Sequence, residues 1–203
     1  MKSIQKTLSL LLVAGLTAFL TGCNNDDPVK EDVPELITQA TLTFTPASGS
    51  PVVVTATDPD GQGIKSITVD GPINLAKNTK YTLSVQMING LAQPTDAGYN
   101  VTAEVEEEGV EHQFYFSWTE GTFSDPAGNG NIDNRADKIN YKDTDKNNLP
   151  IGLITEWTTS ATTSAASTPF RVVLKHQPEL KSATSTFNDG ETDLDIAFTI
   201  NIN

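Results

Sequence analysis

Leu194-Asp195-Ile196-Ala197-Phe198-Thr199-Ile200-Asn201-Ile202 places a large apolar residue at every second position. Alternation with a period of two is the mark of a strand with one face buried and the other wet. A terminal stretch of this regularity predicts a strand tied into a sheet. Outward from it the pattern recurs. In Leu36–Thr45, Ala40, Leu42 and Phe44 point one way and Thr41, Thr43 and Thr45 the other. Pro51–Thr57, Ile64–Val69, Thr79–Ile88, Gln113–Trp118, Ile139–Lys142, Ile151–Thr158 and Phe170–His176 are the further candidates. Asp58-Pro59-Asp60-Gly61 and Ala76-Lys77-Asn78 read as turns between them. About nine short strands at this spacing predict a mainly β fold, an antiparallel immunoglobulin-like β-sandwich spanning 35–203 as a single domain. A small open barrel is the other arrangement the spacing allows.

One segment departs from the strand pattern. Asn100 is a good N-cap, the acids after it favour a first helical turn, and Gly109 offers a stop, so a short helix is expected over 100–109. Val101, Ala103 and Val105 also alternate as in a strand, but three adjacent glutamates fit a sheet poorly. Thr158–Thr168, built from Thr, Ser and Ala, reads as an exposed loop.

The chain of 203 residues carries 13 Lys and Arg against 26 Asp and Glu, a formal charge of −13. Lys2 and Lys6 are the only charges before residue 23, so the remainder carries −15. Such a surface repels nucleic acid and anionic lipid headgroups. A lone cysteine, Cys23, excludes a disulfide framework and a Cys-rich metal cluster.

That cysteine follows two lysines and an apolar run from Leu8 to Leu20. The run is shorter than the roughly 20 residues of a membrane-spanning helix and has the layout of a secretory signal. Leu20-Thr21-Gly22-Cys23 resembles a lipobox, where the lipoprotein signal peptidase cuts before a lipid-modified cysteine. The resemblance implies residues 1–22 as signal peptide and an acylated Cys23 as the link to membrane lipid. Two or more acyl chains anchor stably, at about 0.8 kcal/mol per buried methylene. Residues 23–34, with Asn24-Asn25-Asp26-Asp27 and two prolines, then form an extended tether.

Candidate chemistry lies in a few places. Asp143, Asp145 and Asn147 occupy positions 1, 3 and 5 of a calcium-loop-like stretch. Asn148 replaces the glycine expected at the sixth position and Ile154 the closing glutamate at the twelfth, so an EF-hand is excluded. A calcium site of the extracellular type, or an Asx-rich hairpin turn, are the two readings. Asp125, Asn129, Asn131 and Asp133 of a glycine-rich loop are further oxygen donors for such a cation. His112 and His176 each stand at a predicted strand boundary. Were those strands antiparallel neighbours, the imidazoles would meet and, with Glu108 or Glu111, make a three-ligand metal site. Separate exposed histidines at strand ends are the alternative. Phe114, Phe116, Trp118 and Trp157 read as core, which leaves Tyr115 as an exposed platform for stacking on a sugar ring. The chain has neither a Gly-x-Ser-x-Gly elbow nor a phosphate-cradling glycine loop.

The lipobox with its acidic start, Glu106–Gln113, Asp143-Thr144-Asp145 with Pro150-Ile151-Gly152, and Gly190–Asp195 together resemble small cell-envelope lipoproteins of Bacteroidota. The resemblance implies attachment to the outer membrane, with the surface-exposed side a further expectation, and a β-rich fold. It carries no activity. Three functions follow as expectations: a non-enzymatic binding or accessory module for an envelope protein or glycan, a small carboxylate-dependent hydrolase, or a calcium-stabilised structural lipoprotein. The first requires no cofactor; only the last requires calcium.

Overall fold

Alternation in sequence becomes alternation in burial. The computed structural model describes residues 35–61, 66–164 and 168–203. The expected signal peptide over 1–22, Cys23 and the expected tether over 23–34 lie outside the described residues, as do parts of Ile64–Val69 and of the Thr158–Thr168 loop. The strands are β1 (Gln39–Pro46), β2 (Val52–Thr57), β3 (Thr68–Val69), β4 (Ile73–Leu75), β5 (Lys80–Ile88), β6 (His112–Trp118), β7 (Phe123–Asp125), β8 (Asn140–Tyr141), β9 (Ile154–Thr159), β10 (Thr168–His176) and β11 (Glu191–Ile202). One helix, α1, spans Val101–Glu107.

The strands form two sheets. The first runs β3-β2-β1-β5-β9-β7, with β8 also on β9, and the second runs β4-β11-β10-β6. The described pairings are antiparallel except that of β4 with β11. The inner faces share one core: Leu42, Phe44, Leu83 and Val85 from the first sheet, Phe116, Val172, Ile196 and Phe198 from the second. This is a sandwich of two sheets. Eleven strands are present among the described residues against the nine expected, the additions being β4 and β7. Each has three residues, too few to show a period.

β11 holds the centre of the second sheet, between β4 and β10. Its Leu194, Ile196, Phe198, Ile200 and Ile202 are buried while Asp195 and Ala197 are exposed. The two sheets meet on Trp157, whose ring centroid lies 5.4 Å from that of Phe116, 5.0 Å from Trp118, 4.8 Å from Phe123 and 5.3 Å from Phe170. Edge-to-face contacts of this kind add to the area they bury. The indole N–H donates to Thr155 Oγ1 at 2.7 Å, so the buried donor is satisfied.

The helix forms where Asn100 caps it, its side chain accepting from Ala103 N at 3.3 Å. Val101 and Val105 are buried. Thr102 ties the helix to β5, its hydroxyl accepting from Met87 N at 2.6 Å and donating to Met87 O at 3.1 Å. This brings the acidic end of α1 beside the sandwich.

Replacing Trp157 by Ala removes the shared ring of both sheets and should lower the unfolding free energy by about 3–5 kcal/mol. Val53, more than half exposed, should change it by under about 0.5 kcal/mol when replaced by Ala. Chemical denaturation of the two variants measures both.

Candidate functional site

His112 lies two residues before Phe114 and His176 two after Leu174, so each continues the inward row of its strand. β6 and β10 are antiparallel neighbours, and their register sets His176 directly opposite His112. Side chains opposed in this way touch. The imidazoles stack with centroids 4.6 Å apart and planes 9° from parallel. His112 is fully buried and His176 nearly so. The expectation of exposed histidines is therefore corrected: an inward register carries both rings into the end of the core.

The third member comes from a break in the pairing. Between β10 and β11 the register passes from Leu174↔Leu194 to Lys175↔Thr192, which leaves Asp193 as the extra residue of a β-bulge. A bulge bends its strand and re-aims a side chain. Strict alternation would send Asp193 outward, opposite to Leu194. Instead its carboxylate is fully buried, with Oδ2 3.5 Å from His112 Nε2. Neither of those two atoms has a hydrogen-bond partner among the described residues.

The surroundings are acidic. His112 Nδ1 lies 3.3 Å from the carbonyl of Glu108, just past α1, and His176 Nε2 lies 3.5 Å from Glu111 Oε2. Glu35 N donates to Asp193 Oδ1 at 3.4 Å. Burial, then the neighbouring Glu104 and Asp193 carboxylates, push the Glu35 carboxyl up to about 7, against the opposing pull of His112. A cavity of about 320 Å³ opens here, its lining including Glu35, Asp58, Asp193 and Asp195. His112, His176 and Asp193 each offer one ligating atom within 4.8 Å of the others, as do Glu35, Glu108 and His112. The sequence pointed to both histidines and to Glu108. Glu35 and Asp193 carried no signal in it, because only the bulge turns Asp193 inward.

The other predicted donors are engaged locally. Asp143 accepts from the amides of Gly152, Leu153 and Ile154 at 2.9, 2.7 and 3.2 Å. Asp145 Oδ1 accepts from Asn147 N and Leu149 N at 2.8 and 2.9 Å, an Asx turn. Its Oδ2 lies 3.0 Å from Lys181 Nζ, and both side chains are buried. Asn148 takes the left-handed conformation at φ 61° that the sixth position demands. Asn131 accepts from Phe116 N and donates to Tyr141 Oη, both at 2.9 Å. Asn129 donates to Asp133 at 2.8 Å, and Asp125 accepts from Asn140 at 2.9 Å.

Tyr115 is not an exposed platform. It is 1% exposed, because the chain after β10 folds back over the outer face of β6. Phe187 meets its ring edge-on at 6.1 Å, and Gln177 Nε2 donates to its hydroxyl at 3.3 Å.

Comparison with protein-family models, with curated proteins and with solved structures finds no match to this chain.

Burial alone would raise the Asp145 carboxyl, but the Leu149 and Asn147 amides and Lys181 outweigh it and hold it below the ordinary carboxylate range. A carboxyl depressed in the folded state stabilises the fold above its unfolded value near 4, and that stability is lost as pH falls through the folded value. Asp145→Asn should therefore flatten the acid limb of stability below about pH 4. At pH 7 it strands the Lys181 charge and should cost about 3 kcal/mol. Denaturant midpoints measured from pH 2 to 7 read both effects.

Proposed function

We propose that the chain is a non-enzymatic binding module held at the cell envelope by an acylated Cys23. The observation that carries this reading is the lipobox-like Leu20-Thr21-Gly22-Cys23 directly after an apolar run of signal-peptide length. The sandwich fits the role of a displayed domain. No described helix is long and apolar enough to cross a membrane, and acylation would supply the attachment instead. Its immunoglobulin-like character belongs to this proposal, since the architecture is shared by many surface modules that bind through their ends and faces.

The end that carries the stacked histidines is the binding surface in this reading. Its cavity is lined by four acidic side chains, of which Asp195 is paired with Arg171 and Glu35 is pushed up to about 7, and the chain beyond residue 22 has a formal charge of −15. Both favour a cationic ligand by Coulomb attraction. The calcium-loop reading has no such support, because backbone amides and Lys181 occupy the Asp143 and Asp145 carboxylates.

Growth with labelled palmitate tests the anchor. The full chain should take up label and sediment with outer membranes. Cys23→Ala should take up none and leave the membrane fraction. An unlabelled wild-type chain, or a variant that stays equally membrane-bound, contradicts the reading.

A further inference from the structure

We propose that His112, His176 and Asp193 bind a divalent transition-metal ion of the zinc class, reached through the acidic cavity at this end of the sandwich. The inference gives the cationic ligand of the binding surface a chemical identity, and it rests on that part of the reading above rather than on the lipid anchor.

A backbone carbonyl only accepts, so the 3.3 Å contact of His112 Nδ1 with Glu108 O requires the proton on Nδ1. In the neutral ring Nε2 is then a bare lone pair. It faces Asp193 Oδ2, a second acceptor, at 3.5 Å. Both atoms are buried and neither has a hydrogen-bond partner among the described residues. Two acceptor atoms 3.5 Å apart with no proton between them repel, and a buried carboxylate oxygen with no hydrogen-bond partner is costly. A cation between them removes both penalties.

Zinc meets the geometric demands between His112 and Asp193, whereas the His176 ring, stacked parallel to that of His112 at 4.6 Å, must turn out of the stack to bring a nitrogen to the same ion. Ligand bonds of about 2.0–2.1 Å in a tetrahedron set neighbouring donors about 3.4 Å apart, close to the 3.5 Å between Nε2 and Oδ2. All three donors lie within 4.8 Å of one another. Two imidazoles and one carboxylate are a donor set that zinc accepts, with a fourth position left open. The Nδ1 contact to a carbonyl is the outer-sphere partner that orients a ligating histidine. Glu111, 3.5 Å from His176 Nε2, adds a carboxylate beside the second ring. The open position is served by the cavity that Glu35 and Asp193 line. The rival occupant of the gap is a proton, giving an imidazolium–carboxylate pair.

The test is a titration of the purified full-length chain in detergent, freed of metal with EDTA and dialysed. Zinc chloride should bind at one ion per chain and raise the melting temperature, while calcium and magnesium chlorides should not. Cobalt(II) in the same site should show the intense visible absorption of a tetrahedral centre. Zinc affinity should fall as pH drops below the histidine range, because protons compete for the donors. Asp193→Asn and His112→Gln should each weaken zinc binding by more than the roughly 10–100-fold that loss of an outer-sphere partner costs. Circular dichroism checks their folding. Should either fail to fold, His176→Gln, at the rim of the core, decides by the same criterion. Zinc that binds no better than calcium, or that binds the folded variants as tightly as the unaltered chain, overturns the metal site and leaves the proton as occupant. That result leaves the anchored module standing, since palmitate labelling tests it separately.

Discussion

β10 is hydrogen-bonded along both edges, to β6 on one side and β11 on the other, and the remainder of the molecule depends on that double registration. Its inward residues Phe170, Val172 and Leu174 lie in the core. The next inward residue is His176, so the strand that builds the core also carries a polar ring to its end. β6 does the same with Trp118, Phe116 and Phe114, then His112. A slip of one residue in either pairing would turn these rows to the opposite face. Core and histidine pair are therefore products of one register.

Buried acids in this fold are settled in two ways. Asp143 and Asp145 are wrapped by backbone amides, and Lys181 closes the second of them. Five backbone amide contacts and the Lys181 ion pair fasten the loop without help from outside. Asp193 is different. Its Oδ1 receives one long amide contact from Glu35, and its Oδ2 faces a ring nitrogen with no hydrogen bond between them. The first arrangement is closed by amides and a lysine, whereas the second is the one proposed above to take a cation. The same composition of acids thus serves fastening at one place and, in the proposal above, binding at another, and the difference lies in whether backbone N–H groups are within reach.

The charge of −15 beyond residue 22 would, in the proposed anchored form, hold the module off anionic lipid headgroups at a range of about one Debye length, near 8 Å at physiological salt. In that form, the stretch between Cys23 and residue 35 would supply the reach and the acyl chains the attachment. Cations are drawn to the carboxylate-lined end by the same field.

Period-two alternation was enough to read the sheets from the chain itself. Leu194–Ile202 and Ala40–Phe44 bury the residues that their spacing assigns inward. Asn100 announced the helix, because a capping oxygen acts on amides only three residues away. Local signals are legible since they act through near neighbours along the chain. β4 and β7 are too short to carry a period, and they exist because neighbouring strands offer them an edge. The burial of Tyr115 depends on where a distant excursion folds back. The histidine pairing was readable only as a conditional statement, for no spacing along β6 reveals which residue of β10 stands opposite. Asp193 was hidden more deeply: its place in the alternation points to solvent, and one bulged residue between strands sends it to His112. The sequence by itself determined which residues form strands, which face of each is apolar, and that the chain is strongly acidic, because those are properties of neighbours in the chain. Tertiary structure alone decided that two histidines and an aspartate share one buried end, because that depends on inter-strand register and on a local break in hydrogen bonding, which nothing within a single strand encodes.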